Sequence, residues 1–435
     1  MNGTASSTTR ILVGDVIDRL RDLPGESVDC VVTSPPYWGL RDYGTPGQLG
    51  HERTPEEYVR KMVDVFREVR KVLKKDGTLW LNLGDCYHNG DKGGYAKDRI
   101  KSEDSLQRSN LGANFIGAPN RQPQEGLKPK DLVGIPWRIA FALQADGWYL
   151  RSDIIWEKKN PMPESVRDRP TRAHEYIFLF SKSERYFYDR TAIAEPGIWP
   201  TEGRKARAKT VTPREKFGLN RIQPRADKQR GHSRRHAGFN TRWDLLSKQE
   251  QCSGMRNKRD VWSMATSQFH EAHFATFPEE LPRLCIMAGT SEYGHCPECG
   301  KRYDRRLEEV HGGRDFHRDT MIRKGIVGER SGEGGNKRGQ FSTRLNDTKR
   351  YAHEGWEASC RCGLPPVPDI VLDPFGGSGT VAIVAERLCR KSILIEINPE
   401  YVEMIRRRIR KSTPLFSSVD ICEGTGRDVP AEEAP

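Results

Sequence analysis

Length and composition restrict the classes of protein to which this chain can belong. Its 435 residues are 35% hydrophobic and 30% charged, enough for one large domain with insertions or for two domains. No apolar run approaches the roughly 18 residues of a membrane span. The first ten residues, MNGTASSTTR, lack the apolar core of an export signal. We therefore expect a cytoplasmic protein with no membrane partner, whose cysteines remain reduced.

The net charge of +12 is unevenly distributed along the chain. Residues 201–260 hold 17 Lys and Arg against 6 Asp and Glu, and residues 301–350 hold 14 against 8. The rest of the chain is net acidic. Basic insertions in a mildly acidic body indicate a polyanionic partner, although a solvated basic loop would have the same composition.

Strand and helix patterns alternate along the first half of the chain. Apolar runs at 11–14 and 28–32 predict short strands. Thr54 as N-cap, Pro55 in the first turn and Glu57 completing a capping box predict that a helix begins there. Its buried face is predicted from apolar residues three or four positions apart: Tyr58, Met62, Val65, Val69 and Val72.

The same alternation continues through the middle of the chain. Gly77 is predicted to end the helix, and a buried strand follows at 78–83. Residues 132–143 are typical of a helix, and residues 149–158 and 175–182 are typical of strands.

The C-terminal part has a strand, a helix, a strand and a helix: 369–375, 380–389, 392–397 and the segment from Pro399, with Asn398 as N-cap. Residues after about 413 show no such pattern and are expected to be disordered. Strands that alternate with helices predict an α/β fold with a mostly parallel sheet.

The sequence DPFGGSGT, residues 373–380, lies between a predicted strand and a predicted helix. Glycines there let a ligand approach the backbone at the carboxyl edge of the sheet. Glu396 ends the next strand, where an acid binds ribose hydroxyls in dinucleotide-type folds. Because G-x-G-x-x-G is absent and no lysine follows the turn, S-adenosylmethionine fits better than a nicotinamide cofactor or a phosphate-loop ligand. A turn without a ligand is the alternative.

Four of the ten cysteines form two close pairs, Cys296 with Cys299 in C-x-x-C and Cys360 with Cys362 in C-x-C. Each pair is followed by a glycine, and together they predict a structural four-cysteine zinc site in a reducing compartment. A full thiolate set leaves no open position for catalysis. Free thiols, or replacement of one ligand by a histidine such as His295 or His353, are the alternatives.

Three segments in a fixed order resemble the β class of S-adenosylmethionine-dependent DNA amino-methyltransferases: TSPPYWGLRDYG, HFATFPEEL, and DPFGGSGT followed by IEIN. The segment 160–183 is also similar to this family, and the resemblance covers roughly 11–195 and 260–411. It implies a Rossmann-like seven-stranded sheet, circularly permuted so that the catalytic half precedes the cofactor-binding half. Permutation is tolerated because the termini of a domain often lie close together.

The resemblance and the charge pattern together predict five regions along the chain. They are a catalytic half at 1–200, a basic target-recognition insertion at 201–260, a cofactor-binding half at 261–294 plus 363–412, a four-cysteine zinc-binding insertion at 295–362, and a disordered tail at 413–435. The resemblance implies that the stretch between the two halves contains the target-recognition region, and the excess of Lys and Arg there would supply phosphate contacts.

The resemblance assigns catalysis to the corner formed by residues 34–37. The Ser34 hydroxyl and the Pro35 carbonyl would accept the two N–H bonds of an exocyclic amino group, which frees the nitrogen lone pair. Pro35 and Pro36 would keep the corner rigid, as electrostatic preorganisation requires. Tyr37 would stack on a base flipped out of the duplex, and Trp38 is expected to belong to the core.

By the same resemblance, eight residues would form the cofactor pocket. Glu396 would bind the ribose, and Asp15 would lie near the adenine, cap a helix, or do both. The remaining six would surround the methionine part of the cofactor: Phe277, Pro278, Asp373, Phe375, Gly376 and Gly379.

The resemblance also implies double-stranded DNA as the substrate. Serine at the first position of the corner favours N4 of cytosine, whereas an aspartate there more often accompanies N6 of adenine, so adenine is the close alternative. Methylation of RNA or of a protein glutamine usually accompanies an asparagine in the corner, which this chain lacks. A non-catalytic DNA-binding protein is a remoter alternative. A cognate restriction endonuclease would be a functional partner.

Overall fold

A computed structural model describes residues 8–40, 45, 47–88, 124–196, 255–266, 277–310, 350–412 and 418–423. The strands in these ranges are β1 (Thr8–Val13), β2 (Val28–Thr33), β3 (Leu73–Leu83), β4 (Tyr149–Lys158), β5 (His174–Ser181), β6 (Glu195–Pro196), β7 (Met255–Arg256), β8 (Val261–Met264), β9 (Tyr303–Val310), β10 (Arg350–Ala358), β11 (Ile370–Asp373), β12 (Lys391–Glu396) and β13 (Ser418–Glu423). The helices are α1 (Val16–Arg21), α2 (Pro55–Val72), α3 (Ile135–Ala145), α4 (Glu280–Gly289), α5 (Thr380–Arg387) and α6 (Pro399–Ser412). None of these helices has the length and apolar character needed to cross a membrane.

Nine strands form one sheet in the order β13-β1-β12-β11-β2-β3-β5-β4-β8. Neighbouring strands run parallel except around β5, which is antiparallel to both β3 and β4. The predicted α/β class is confirmed. The predicted count of seven strands is corrected, because β13 and β8 extend the seven central strands by one edge strand on each side. Short segments can occupy sheet edges because an edge strand needs backbone pairing on one side only.

Helix α2 begins where its capping sequence predicts. The Thr54 hydroxyl accepts the backbone N–H of Glu57 at 3.1 Å, and Pro55 occupies the first turn. The Glu57 carboxylate accepts the N–H of Arg53 rather than that of Thr54. All five residues of the predicted apolar face are buried.

The predicted end of α2 at Gly77 is wrong. The helix ends at Val72, and β3 begins at Leu73 and passes through Gly77. A Cβ at Gly77 would lie 2.5 Å from Leu73 Cδ1 and 3.0 Å from the Asp29 carbonyl oxygen. Gly77 is therefore required by close packing within a strand, and its role as a helix terminator was an incorrect interpretation of the same residue.

The prediction of disorder throughout 413–435 is also corrected. Residues 418–423 form β13, which pairs in parallel with β1 from Thr8↔Ser418 to Val13↔Glu423. The apolar residues Val419 and Ile421 pack against the cluster around Ile11 and Ile405. Only two apolar side chains face this cluster, which is too weak a local signal for a strand without its partner β1. The other residues of the tail lie outside the described ranges.

The chain divides into two compact units. The first comprises 1–193, 259–303 and 358–435 and contains the nine-stranded sheet; the second comprises 194–258 and 304–357. Within the second unit, β6 pairs with β7 and β9 pairs with β10. All four cysteines of the predicted zinc site belong to the first unit.

Candidate active site and four-cysteine cluster

The corner 34–37 follows β2, all of whose residues are buried. Prolines cannot donate to a strand ladder, so the chain leaves the sheet at this point. The Tyr58 hydroxyl donates to the Pro36 carbonyl at 2.7 Å, which ties the corner to α2. Trp38 is 1% exposed and its Nε1–H donates to the Glu52 carbonyl at 2.9 Å, so Trp38 is a core residue, as expected.

The Tyr37 phenol is held by a polar network that the sequence analysis did not identify. Its hydroxyl donates to Glu175 Oε2 at 2.8 Å and accepts from Asn82 Nδ2 at 2.9 Å and from the Ser34 hydroxyl at 3.2 Å. Asn82 Nδ2 also donates to Glu175 Oε2 at 3.0 Å. Lys158 Nζ donates to Glu175 Oε1 at 2.5 Å and completes the network. The sequence signal for this network was one polar residue in each of two apolar strands, Asn82 in β3 and Glu175 in β5.

The Glu175 carboxyl is ionised in spite of its surroundings. Burial raises its pKa, but the Lys158 ammonium and the hydrogen bonds from Tyr37 and Asn82 lower it further than burial raises it. The net pKa therefore lies below the ordinary value for glutamate, and a negative charge lies beside the corner 34–37 at neutral pH.

The Tyr37 ring packs closely on the backbone of Gly84. A Cβ at that position would lie 2.5 Å from Tyr37 Cε2 and 3.0 Å from Cδ2. Gly84 directly follows β3, so the absence of a side chain there creates the space that the ring occupies.

A cleft of about 120 Å³ lies at the carboxyl edge of the parallel strands. Its lining includes residues from both predicted halves of the site: Asp15, Ser34, Pro36, Phe375, Gly377 and Glu396. Asp15 also caps α1, because its Oδ1 accepts the N–H of Ile17 at 2.9 Å, so the two predicted interpretations of Asp15 are compatible. Catalytic and cofactor motifs that are distant in sequence therefore share one cavity.

Two buried carboxyls beside this cleft have raised pKa values. Burial raises the pKa of Glu396 to about 7, although its oxygens accept the N–H groups of Asn398 at 2.9 Å and Gly377 at 2.7 Å. Burial raises the pKa of Asp373 to about 8, and the charge of Glu396 contributes further. Both pKa values lie near neutral pH, so the charge of each carboxyl is sensitive to what occupies the cleft.

Asp373 links the glycine turn after β11 to the corner 34–37. Its Oδ1 accepts the Thr33 hydroxyl at 2.6 Å and the N–H of Phe375 at 3.1 Å. Thr33 immediately precedes Ser34, and the register Leu372↔Val31 places the ends of β11 and β2 side by side. A displacement of the glycine turn would therefore reach Ser34 through a single side chain.

The predicted glycines have different surroundings within their turn. Gly379 has φ +74°, and a Cβ there would lie 2.8 Å from Ile405 Cγ2, so it is required by packing on α6. Gly376 donates its N–H to the Ile395 carbonyl at 2.8 Å. Of the glycines in this turn, Gly377 lines the cleft.

Phe277 and Pro278 immediately precede α4 and are absent from the cleft lining described above. Phe277 packs against a buried cluster that includes Leu281 of α4 and Val381 of α5. Their contact with a cofactor therefore stays a prediction. His273 lies outside the described residues.

The two cysteine pairs lie together as predicted. The sulfur atoms of Cys296, Cys299, Cys360 and Cys362 all lie within 4.8 Å of one another. Around a tetrahedral zinc with bonds of about 2.3 Å to sulfur, the sulfurs lie about 3.8 Å from one another. The four cysteine sulfurs are close enough together for this geometry, so the donor set fits zinc. His295 is engaged elsewhere, since its Nδ1 bonds Asp369 Oδ1 at 2.6 Å.

Beside the cysteine cluster, a group of charged residues is buried at the amino edge of the sheet. The Arg302 side chain, 6% exposed, pairs with Asp369 and lies 3.3 Å from Asp29 Oδ1. Lys74 Nζ lies 2.9 Å from Asp29 Oδ1, and His295 bonds Asp369. Although Asp29, His295 and Asp369 are close enough to bind a metal, Arg302 and Lys74 already supply the cationic charge there.

The fold and the cleft together define a Rossmann-like methyltransferase, because a corner after β2 and a glycine turn after β11 meet at one edge of a mostly parallel sheet. The chain belongs to the N6/N4 methyltransferase family, described as DNA methylase, which matches residues 28–296 and 362–407. The resemblance seen in the three sequence motifs is thereby confirmed.

Similar proteins include Type II methyltransferases. The Type II methyltransferase M.SmaI of Serratia marcescens is 36% identical, with 92% of this chain and 90% of that protein covered. M.Cfr9I of Citrobacter freundii, also a Type II methyltransferase, is 35% identical, with 91% and 86% covered. Among solved structures, the cytosine-N4-specific PvuII DNA methyltransferase matches with a TM-score of 0.46 and 17% identity, covering 96% of this chain and 99% of that chain.

Proposed function

We propose that this protein transfers a methyl group from S-adenosylmethionine to N4 of cytosine in double-stranded DNA. The observation that carries the proposal is that Ser34 and Pro36 line the same cleft as Phe375, Gly377 and Glu396. One cavity is therefore lined both by Ser34, an acceptor for a target amine, and by the groups for a ribose-containing cofactor. N6 of adenine is the alternative target, because the serine corner favours cytosine without requiring it.

The cleft suits the proposed cofactor. The buried carboxyl of Glu396 would accept ribose hydroxyls, Asp15 would face the adenine, and the backbone at Gly377 allows close approach. When bound, S-adenosylmethionine would supply a methyl group on a positively charged sulfur. No covalent enzyme intermediate is needed, because the electrophile is the cofactor itself.

The chain's own residues would activate the amine. The lone pair of the target amino nitrogen is delocalised into the ring of the base, so this nitrogen is a poor nucleophile until it becomes tetrahedral. The Ser34 hydroxyl oxygen and the Pro35 carbonyl would accept its two N–H bonds and stabilise that geometry. The Pro36 carbonyl is already bonded to Tyr58, which leaves the Pro35 carbonyl as the second acceptor. Tyr37 would stack on the flipped base, and this stacking would offset about 1–3 kcal/mol of the free energy needed to move the base out of the duplex.

The target base is tested by nucleoside analysis. Unmethylated genomic DNA is treated with the enzyme and S-adenosylmethionine, digested, and examined by mass spectrometry. We expect N4-methylcytosine. N6-methyladenine would support the alternative target, and no methylated nucleoside from a protein that binds the cofactor would contradict the proposed function.

We further propose that DNA recognition involves the basic insertion 201–260, as the local excess of Lys and Arg indicates. The enzyme would act on DNA in the cytoplasm as the modification component of a restriction-modification system. Residues 201–254 of the insertion lie outside the described ranges.

A deletion of 201–254 should keep cofactor binding and abolish site-specific methylation. Pro196 and Met255 pair directly between β6 and β7, so a short Gly-Ser linker can rejoin the chain. The deletion also leaves the Asp260 carbonyl bonded to the Ile155 N–H beside the sheet. Cofactor affinity and sequence-resolved methylation are measured on the same preparation, and retained site-specific methylation would place recognition elsewhere.

Affinity for S-adenosylmethionine should decrease as the pH falls below about 7. Ribose hydroxyls bind the ionised form of Glu396, whose pKa in the free protein is about 7. Below that pH the carboxyl must lose a proton on binding, which weakens affinity by about tenfold per pH unit. Calorimetry between pH 5.5 and 8 measures the slope. Glu396→Gln should bind more weakly and with a flatter pH dependence, and an unchanged slope in that variant would refute this role.

The same raised pKa acts on stability in the opposite direction. The folded protein binds the Glu396 proton more tightly than the unfolded chain, whose pKa is 4.5. The stabilisation is therefore complete below about pH 4.5 and is lost as the pH rises to about 7.

We also propose that the four cysteines bind one structural zinc ion. Protein purified without chelators should contain about one zinc per chain, and Cys296→Ser should lose it, with reduced stability around 295–302 and 359–363. Elemental analysis and thermal unfolding measure both effects. Cys389→Ser, which removes an exposed thiol outside the cluster, is the control and should retain the metal. Metal-free wild-type protein would contradict the proposal.

A further inference from the structure

We propose that Glu175 is a positioning residue for methyl transfer, which acts through Tyr37 to fix the direction of the Ser34 hydroxyl. In this direction the serine proton points to Tyr37, and Asn82 Nδ2 lies 3.5 Å from the serine oxygen as a donor, which leaves one serine lone pair for the N–H of the target amine. The inference rests on the proposed function of the cleft and assigns a role to a residue outside the corner itself.

The hydrogen-bond direction follows from what each group can donate. An ionised carboxylate only accepts, so the bond of 2.8 Å between Tyr37 and Glu175 Oε2 uses the single phenolic proton. The Tyr37 oxygen then accepts from its other neighbours, Asn82 Nδ2 at 2.9 Å and the Ser34 hydroxyl at 3.2 Å. The Ser34 proton is therefore committed to Tyr37.

A serine hydroxyl in the opposite direction would be unfavourable for catalysis. Its proton would face an N–H of the target amine, and two donors repel each other. With the proton committed to Tyr37, Ser34 presents only an acceptor, which is what withdrawal of an amine N–H requires. A chain of bonds that ends on an anion also polarises each hydroxyl toward that anion and strengthens the serine as an acceptor.

The environment of Glu175 keeps this anion in place. Its side chain is 13% exposed and is bonded to Lys158 Nζ at 2.5 Å. The antiparallel register of β5 pairs Ile177 with Asn82 and brings Glu175 to the carboxyl edge of the sheet. Lys158 is the last residue of β4, the strand on the other side of β5, which places its ammonium beside Glu175. Gly84 then holds the Tyr37 ring from one side, so the phenol has a defined position.

The test measures single-turnover methyl transfer with excess enzyme, methyl-labelled S-adenosylmethionine and unmethylated genomic DNA. Glu175→Gln keeps the size of the side chain but removes the charge, and should slow transfer by about 10- to 100-fold. Tyr37→Phe keeps the ring and breaks the same chain, so we expect a similar loss. Cofactor affinity should change by less than about twofold in both variants, because neither residue is assigned to the cofactor.

The double variant decides whether Glu175 acts through Tyr37. Glu175→Gln should add little to Tyr37→Phe, because the chain is already broken, whereas independent effects would multiply. Multiplying effects, or full transfer by Glu175→Gln, would overturn the inference. Should Glu175→Gln fail to fold, Tyr37→Phe alone still tests the chain, and full transfer by that variant would also overturn it.

A matched control lies on the adjacent strand. Glu157 pairs with His174, its side chain is exposed, and Glu157→Gln should leave transfer unchanged.

Methyl transfer by the wild-type protein separates failure of this inference from failure of the proposed function. Absence of any methyl transfer by wild type would contradict the function, whereas transfer to either base together with the predicted variant losses supports the positioning role.

Discussion

Replacing Arg302 with methionine should lower the free energy of unfolding by about 3–5 kcal/mol, the range for removing one partner of a buried ion pair. The Arg302 side chain is 6% exposed, and Asp29 and Asp369 beside it are 1% and 0% exposed. Burial raises the pKa of Asp369, but Arg302 and His295 together lower it below the ordinary value. Methionine would fill much of the volume while leaving two adjacent carboxyls with insufficient positive charge.

The measurement is chemical unfolding followed by tryptophan fluorescence. Lys301→Met is the matched control, because Lys301 is the exposed neighbour and its loss should change stability by less than about 0.5 kcal/mol. Equal stability of the two variants would show that Lys74 and His295 suffice to compensate the carboxylates. The destabilisation should decrease in acid, where protonation removes the unpaired charges.

Ser34→Ala should lower the rate of methyl transfer on the order of 10²-fold and leave cofactor affinity nearly unchanged. The substitution removes one acceptor from the target amine, a contact that contributes mainly in the transition state. It does not alter Glu396 or Asp15, which would bind the cofactor. The hydrogen bond between Thr33 and Asp373 is also retained, so the cofactor turn should remain in place.

Single-turnover transfer and cofactor binding are measured on the same protein. The control is Ser27→Ala at the opposite end of β2, where the hydroxyl donates to the Pro24 carbonyl at 2.7 Å. That variant should transfer methyl groups at the wild-type rate. Undiminished transfer by Ser34→Ala would show that this hydroxyl has no part in activating the amine.

The two predictions concern residues beside opposite ends of β2, because Arg302 contacts Asp29 near its start and Ser34 follows its last residue. Asp29 near the start of β2 belongs to the buried charge cluster beside the four cysteines, and Thr33 at its end bonds Asp373 before the catalytic corner. The contacts expected to matter for stability and those expected to matter for methyl transfer therefore involve different residues of β2, Asp29 and Thr33. Substitutions at one end should separate experimentally from substitutions at the other.

Local features of the chain were predictable because their causes lie within a few residues. The start of α2 follows from a capping hydroxyl and a proline, and its buried face follows from helical spacing. The strand-turn-helix around 373–380 follows from glycines between two apolar runs. The motifs in their order also indicated the family, and the cleft brings Ser34 and Glu396 together as they imply.

Where local signals were ambiguous, tertiary contacts decided the outcome. Gly77 is typical of a helix terminator, yet it lies inside β3 because only glycine fits against Leu73 and the Asp29 carbonyl. The segment 418–423 becomes a strand because β1 offers an unpaired edge. Neither result can be read from nearby residues, since each depends on a partner elsewhere in the chain.

The sequence by itself determined the α/β class, the family and the two cysteine pairs, and it predicted the corner 34–37 as the catalytic segment, because these depend on short motifs and on periodicity. Only the tertiary structure decided that Glu175 faces Tyr37 and that Thr33 bonds Asp373, 340 residues away. It also decided that Arg302 is buried between two aspartates. The physical reason is that strand order and register set which side chains meet, and a single polar residue in an apolar run carries no information about its partner.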